Sequence, residues 1–455
     1  MSTFVLLFPF CCSEFYKKSK DPEIPYFNNH FMPEKFDVLI VGAGPAGITT
    51  ALKLAGSGLK IAIIDKAQFP REKTCGDGLT LDVMNQLPLV SESLAEAFRN
   101  FPKKLPSYEA VLFSPDLRHV TIPFRIKSEN KPIFTCQRSD FDNLLFGQLK
   151  QHENISVFEN CKAQKIQITD KHVVISSDEF IFEGSIVVGS DGANSLVSRQ
   201  MGLKRIPKEQ TAVGLTAYYT GLKPLNEKNP IELYLFRDIM PGYLWIFHLG
   251  DGKANVGIGM LSSAITTKGI DIKKKFNELM SANPLKDRFV NANCENGIKG
   301  HILPLGFDRR PISGNRFLLA GDAAALIEPL TGEGVGNAIR SGRVAAEHIL
   351  NCFETKDFSA TFNKAYDKEV YRRVIPEFKM YNLVQKFIKY PSLLNFVIGS
   401  TYSYPSLEDA FNDAFIHLQT SSLKSKLVFT AKIFYIFTLK NLFVTVFGKK
   451  RTNEI

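Results

Sequence analysis

Three clusters of glycine and aspartate hold the residue types needed to grip a nucleotide. The first is Gly42-Ala43-Gly44-Pro45-Ala46-Gly47, reached from the apolar run Val38–Val41. Gly42 permits a tight turn, Gly44 lets the backbone approach a pyrophosphate, and Gly47 lets a helix pack closely on its sheet. Pro45 suits the first turn of a helix, whose free N–H groups and positive dipole end attract phosphate. A helical stretch broken at Gly58 leads to a second apolar run that ends on Asp65 and Lys66. Asp65 is placed to accept hydrogen bonds from an adenosine ribose. The second cluster follows Val187-Val188-Gly189, where Asp191-Gly192 makes a turn and Asn194 or Ser195 can cap the next helix. The third leaves the run Phe317–Ala320 as Gly321-Asp322 and continues to Gly332-Glu333-Gly334-Val335-Gly336-Asn337. Asp322 can bind a ribitol or ribose hydroxyl. Backbone N–H groups at the start of the long helix that follows would stabilise negative charge at N1 and O2 of a reduced flavin. Each cluster alone is readable as a packing turn. All three in this order specify FAD.

These clusters need strands to end on and helices to begin from. The pattern supplies both. Residues 107–113 and 117–125 form a predicted hairpin around Ser114-Pro115-Asp116. A helix is predicted over 139–151, capped by Ser139 with Asp142 at the third position. Strands follow at 163–168, 172–177 and 184–189. Residues 211–221, 231–236, 242–249 and 253–260 alternate in polarity and carry the turn Gly250-Asp251-Gly252, as an antiparallel sheet with one buried face does. Helical patterns dominate from about 338 onward. The expected architecture is α/β, a Rossmann-like FAD-binding domain with an inserted antiparallel β-sheet substrate domain and a C-terminal helical region. The FAD domain is assigned to 32–106, 135–206 and 300–350, the sheet domain to 107–134 and 207–299, and the helical region to 351–455. Residues 1–31 are read as a disordered extension without a secretory signal, and Met32 as a candidate functional start.

Composition narrows the classes. At 455 residues with 44% hydrophobic and 22% charged side chains, the chain is globular and can bury a large core. A net charge of +10 suits an anionic cofactor or membrane surface. No dense basic tract with interleaved aromatics is present, so nucleic acid is not an expected partner. The cysteines are scattered and odd in number, and neither they nor the histidines show metal spacing, so no metal and no disulfide framework are expected.

With the motifs in place, the chain resembles the FAD-dependent geranylgeranyl reductase family, within the group of para-hydroxybenzoate hydroxylase-like flavoproteins. The likeness covers roughly 34–400 and includes Phe69-Pro70-Arg71-x-Lys73-x-Cys75-Gly76-Asp77-Gly78 and Arg138-x-x-Phe141-Asp142 besides the three clusters. It implies hydride transfer from reduced flavin to a prenyl C=C bond, Gly76 and Cys75 beside the isoalloxazine, and Arg138 near the FAD pyrophosphate. A thiol at Cys75 could then protonate the carbon next to the one that receives hydride, or simply pack. The family's Pro-x-x-Tyr-x-Trp-x-Phe-Pro tunnel motif is matched by Tyr243, Trp245 and Phe247, with the proline one place late at Pro241 and His248 at the last position. Alternation puts the three aromatics on one strand face, as substrate wall or as sheet core. His248 is expected to be structural.

Two rivals share the same FAD motifs: a monooxygenase of an aromatic or lipophilic molecule, and a non-catalytic prenyl-binding flavoprotein. The Cys75 turn with the Tyr-x-Trp-x-Phe strand favours the reductase. The electron donor, NAD(P)H or a small redox protein, is left open. Residues 427–447 are apolar, interrupted by Lys432 and Lys440 and followed by Lys449, Lys450 and Arg451. That pattern fits a helix lying in a membrane interface or packing internally better than a spanning one. A cytoplasmic monomer, peripheral at the membrane through this segment, is the expected form.

Overall fold

The apolar runs that end on glycine and aspartate are buried strands of one sheet. A computed structural model describes residues 32–126, 129–404, 407–409 and 412. The 1–31 extension and the 427–447 segment lie outside the described residues. The sheet's order is Ile155–Phe158, Ile61–Ile64, Val38–Val41, Ile186–Gly189, Phe317–Leu319 and Ser313–Gly314, all parallel except the last. Its central strands are fully buried β-branched runs, as a sheet covered on both faces requires. Parallel pairing places Gly42, Asp65, Asp191 and Asp322 just past the carboxyl ends of neighbouring strands, at one edge.

The helix Pro45–Leu54 lies against the long helix Val335–Thr355. Gly342 makes the crossing possible, since a Cβ there would meet Ala46 O at 2.3 Å. Thr50 Oγ1 donates to Gly342 O at 3.1 Å across the same contact.

A second sheet runs in the order Asn293–Pro304, Thr211–Thr220, Lys253–Leu261, Gly242–Gly250, Ile231–Tyr234, Glu109–Phe113 and His119–Pro123. The expected antiparallel strands are all present, but Ile231–Tyr234 pairs with Glu109–Phe113 in parallel, so the sheet is mixed. The Asn293–Pro304 strand went unread because its alternation is weak. It runs through the 299/300 boundary, which therefore divides a strand. Leu105–Ser107 and Ile133–Thr135 likewise straddle the 106/107 and 134/135 boundaries and pair with each other.

The C-terminal helices also depart from the expected partition. Tyr366, Val370, Val374 and Phe378 of the helix Ala360–Ile388 are buried in the nucleotide-side core. The Tyr366 hydroxyl donates to Leu319 O at 2.6 Å. The following helix, Pro391–Ser403, faces the second sheet instead, with Val397 and Ile398 packed among Ala110, Ile122 and Ile231. Among the described residues no helix is long and apolar enough to cross a membrane.

Candidate active site

One cavity of about 1500 Å³ runs from the carboxyl edge of the parallel sheet to the face of the second sheet. That exceeds the ~300–1000 Å³ of a pocket for one small ligand. Gly42, Gly44, Pro45, Ala46, Asp65, Lys66, Gly76, Arg138, Asp191, Gly192, Gly321, Asp322, Gly332, Gly334, Val335 and Asn337 all line it. So do Cys75, Tyr243, Trp245 and Phe247.

At the nucleotide end the glycines divide the work. Gly42 has φ +101°, and a Cβ there would lie 2.5 Å from Ser190 O. At Gly47 a Cβ would lie 2.0 Å from Gly42 O, so this residue serves helix packing and is not part of the cavity wall. Gly44 faces open space, with Arg71 Nη2, at 3.8 Å, the nearest atom to a Cβ there. Asp65 Oδ2 accepts from Ala43 N at 2.6 Å and Oδ1 from Ala67 N at 2.8 Å, which fixes the carboxylate while leaving lone pairs toward the cavity. Ser195, not Asn194, caps its helix, accepting from Ser198 N at 2.9 Å. Asp191 Oδ2 accepts from Leu196 N at 2.5 Å, whereas its Oδ1 is buried without a partner. Lys66, Arg71, Lys73, Lys162 and Arg199 supply cations along the same walls. An orphaned acceptor, an open glycine cradle and surrounding cations fit a dinucleotide with hydroxyls to donate and phosphates to neutralise.

Two sequence expectations are corrected here. Gly336 does not line the cavity. Its N–H donates to Glu333 Oε1 at 2.7 Å, and a Cβ would meet Asp82 Oδ2 at 2.2 Å, so this glycine lets the helix pack beside Asp82. The Asn337 side chain is likewise engaged, donating to Leu326 O at 2.9 Å and accepting from Arg340 at 2.5 Å. Nor does Ser139 cap its helix, which begins at Arg138. Asp77 Oδ1 instead accepts from Arg138 N at 3.1 Å. Asp142 is consumed by ion pairs: Arg138 Nε and Nη2 reach it at 2.8 and 2.9 Å, and Arg71 Nη2 at 3.1 Å.

Arg138 lies by the thiol. Its Nη1 donates to Cys75 Sγ at 3.6 Å. Burial pulls this guanidinium down, but Asp142 and the sulfur outweigh it, so Arg138 sits above its ordinary value and stays charged.

The Cys75 turn rests directly on the aromatic wall. A Cβ at Gly76 would lie 3.3 Å from Trp245 Nε1, and one at Gly78 3.3 Å from Phe247 Cε2. Tyr243 and Trp245 have ring centroids 5.8 Å apart, and Trp245 and Phe247 6.3 Å. The Tyr243 hydroxyl donates to Thr331 O, tying the wall to the third cluster. Beyond the rings the cavity is apolar, with Leu112, Phe124, Leu233, Leu235, Leu394 and Ile398 among its walls. His248 is buried, with Nε2 3.5 Å from a Glu232 carboxylate that Arg288 also holds.

Several groups escaped the sequence analysis. Asp77 is fully buried beneath the Cys75 turn, with φ +66°. Burial pushes its carboxyl up to about 6 against the Tyr218 hydroxyl, the Asn255 amide and Arg138. Asn255 itself is wholly buried in the middle of a strand. Glu328 is held by Leu330 N at 2.5 Å and Thr331 N at 2.7 Å, yet burial pushes it up to about 7. Burial, then Asp82, raises Glu333 as well. Burial and Lys73 hold His301 below its ordinary value, and its Nε2 has no partner. The one legible signal was Asn255-x-Gly257-x-Gly259, an alternation that marks close approach over a strand.

Comparison with known proteins agrees with this geometry. An FAD binding domain family matches residues 35–238, and the geranylgeranyl reductase catalytic domain matches 212–298. Digeranylgeranylglycerophospholipid reductase of Methanocella arvoryzae is 30% identical, over 74% of this chain and 83% of that one. The chain belongs to the geranylgeranyl reductase family. It is an FAD-dependent oxidoreductase acting on prenyl C=C bonds. Menaquinone reductase of Mycolicibacterium smegmatis is 26% identical, over 73% of this chain and 80% of that one. The fold is shared with a geranylgeranyl bacteriochlorophyll reductase-like protein of Thermoplasma acidophilum, at TM-score 0.73, 24% identity and coverage of 88% and 96%. It is also shared with a mutant of halogenase PltM, solved with FAD, at TM-score 0.68, 18% identity and coverage of 88% and 86%.

Proposed function

We propose that this family member reduces a long isoprenoid chain laid against Tyr243, Trp245 and Phe247, with Cys75 giving the proton. The observation that carries this reading is the seating of the Cys75–Gly78 turn on the aromatic wall, inside the cavity that also holds the glycine fingerprint. When bound and reduced, FAD supplies the hydride. The chain's residues do the rest. Gly44 and Arg71 receive the pyrophosphate, Asp65 the ribose, and Asp322 a ribitol hydroxyl. The aromatic and aliphatic walls bind the substrate by area and exclude water. Cys75 Sγ protonates the carbon next to the one that gains hydride, and Arg138 steadies the resulting thiolate until solvent reprotonates it.

The lipid character of the two reductase relatives supports an isoprenoid lipid as substrate. A cytoplasmic monomer touching the membrane surface through 427–447 completes the reading, on the apolar run and its flanking lysines. The test is anaerobic photoreduction of the purified yellow protein followed by prenyl lipids of graded length. Flavin reoxidation with a product richer by two hydrogens supports reduction. A product richer by one oxygen, formed only when air is admitted, replaces it with monooxygenation.

A further inference from the structure

The strand Lys253–Leu261 carries Asn255 between Ala254 and Val256, all three wholly buried. A primary amide in such a place is costly unless every donor and acceptor is used. Here they are all used, on three parts of the site: the aromatic wall, the Thr211–Thr220 strand and the Cys75 turn. Asn255 Oδ1 accepts from Trp245 Nε1 at 2.9 Å and from Thr216 Oγ1 at 2.6 Å. Its Nδ2 donates to Cys75 O and to Asp77 Oδ2, each at 2.8 Å.

The backbone shows why this residue can reach so far. In the antiparallel pair, Phe247 stands opposite Asn255 and Trp245 opposite Gly257. A Cβ at Gly257 would meet Trp245 Cζ2 at 2.1 Å, so the indole lies flat across that glycine. Only from there does its N–H point along the strand to Asn255. The Cys75 turn comes from a distant part of the chain and is met by the other end of the same amide.

We infer that Asn255 is the positioning residue that holds the substrate wall and the Cys75 turn at one fixed separation, and so sets where a chain carbon lies relative to the thiol. This rests on the proposed function for its catalytic meaning, although the bracket itself does not. Proton delivery falls steeply when donor and carbon are misplaced, by as much as ~100-fold for about 1 Å. Asp77 and Thr216 close the bracket from behind, which keeps the amide from rotating.

Trp245 is the only tryptophan in the chain, so its fluorescence reports on one end of the bracket without any substrate. In the FAD-loaded Asn255→Leu variant, time-resolved anisotropy of Trp245 should gain a fast local component that the parent protein lacks. Prenyl turnover should fall by about 10-fold in kcat with little change in KM, while reoxidation by oxygen stays as in the parent. A folded, FAD-bound variant with unaltered anisotropy and unaltered kcat overturns the inference. Should Asn255→Leu not fold, Asn255→Asp decides. It keeps the indole acceptor and loses the amide donors, so Trp245 should stay rigid while prenyl turnover falls. Unchanged turnover in Asn255→Asp, or loss of FAD from it, overturns the positioning role. If the parent itself reduces no prenyl chain, the proposed function fails, yet the anisotropy still tests the bracket.

Discussion

The nucleotide end and the apolar chamber share one cavity but are built by opposite means. At the nucleotide end, what matters is largely the absence of side chains. Gly42 and Gly47 leave no room for a Cβ, Gly44 leaves the backbone bare, and Asp65 is aimed by the Ala67 N–H of its own turn and the Ala43 N–H of the glycine turn beside it. In the chamber, side chains from strands far apart in sequence form the surface, and their positions depend on what packs behind them. A backbone cradle is a local property of a few residues. An apolar wall is a collective property of a sheet, so it tolerates exchange at single positions and loses function gradually. The Cys75 turn is the seam, made of glycines like the first region and seated on rings of the second.

The sharpest way to break this contrast is at Gly44. Gly44→Val should leave the fold intact, because the only atom near a Cβ there is the Arg71 guanidinium, at an ordinary 3.8 Å, yet weaken FAD binding by ~100-fold or more, about 2.7 kcal/mol. Titration of the apoprotein with FAD by flavin fluorescence checks it. Gly42→Val, by contrast, should fail to fold, since its φ and the Ser190 carbonyl both forbid a side chain.

The seam comes next. Cys75→Ser should keep FAD and slow prenyl-dependent reoxidation by about 100-fold, the lower range for losing a general acid, while oxygen-dependent reoxidation is unchanged. Stopped-flow traces with each acceptor separate the two. Unaltered prenyl turnover would falsify the proton-donor role and leave the thiol as packing.

In the chamber, Trp245→Ala should bind FAD normally and lose about 10-fold in kcat/KM on long prenyl chains, with less loss on short ones. Equal losses at all lengths would make the ring sheet core rather than substrate wall. Gly257→Ala should lose at least as much by the same kcat/KM measurement, because the new methyl would meet the indole at 2.1 Å and the Leu215 carbonyl oxygen at 2.6 Å.

The smallest effect concerns the third cluster. A buried carboxyl whose folded-state pKa is raised contributes stability in acid and loses it as pH climbs through the raised value. Glu333 is such a group, raised by burial and by Asp82. Glu333→Gln keeps an acceptor for Gly336 N–H, so its melting temperature should match the parent near about pH 5 and exceed it by about 2 °C or more near about pH 9. A difference that does not grow with pH means that Glu333 ionises without cost.

The line between what was legible and what was not follows the same division. The FAD cradle, the strand ends that carry Asp65, Asp191 and Asp322, and the shared face of Tyr243, Trp245 and Phe247 can all be read from the order of residues. Each depends on spacing within one turn or one strand, where chain geometry leaves few choices. Asp142 was misread because an Asp three residues after a Ser looks the same whether it joins a cap or neutralises Arg138 one turn away and Arg71 brought from elsewhere in the chain. Gly336 was misread because the carboxylate that takes its place beside the helix belongs to Asp82, more than two hundred residues earlier in the chain. That the Cys75 turn sits on Trp245, that Arg138 faces sulfur, and that Asn255 ties the turn to the indole emerges only once the chain is folded. Those are contacts between segments that no local rule relates. They exist because sheet pairing and core burial bring the segments together, and because a buried amide must find four partners wherever the fold supplies them.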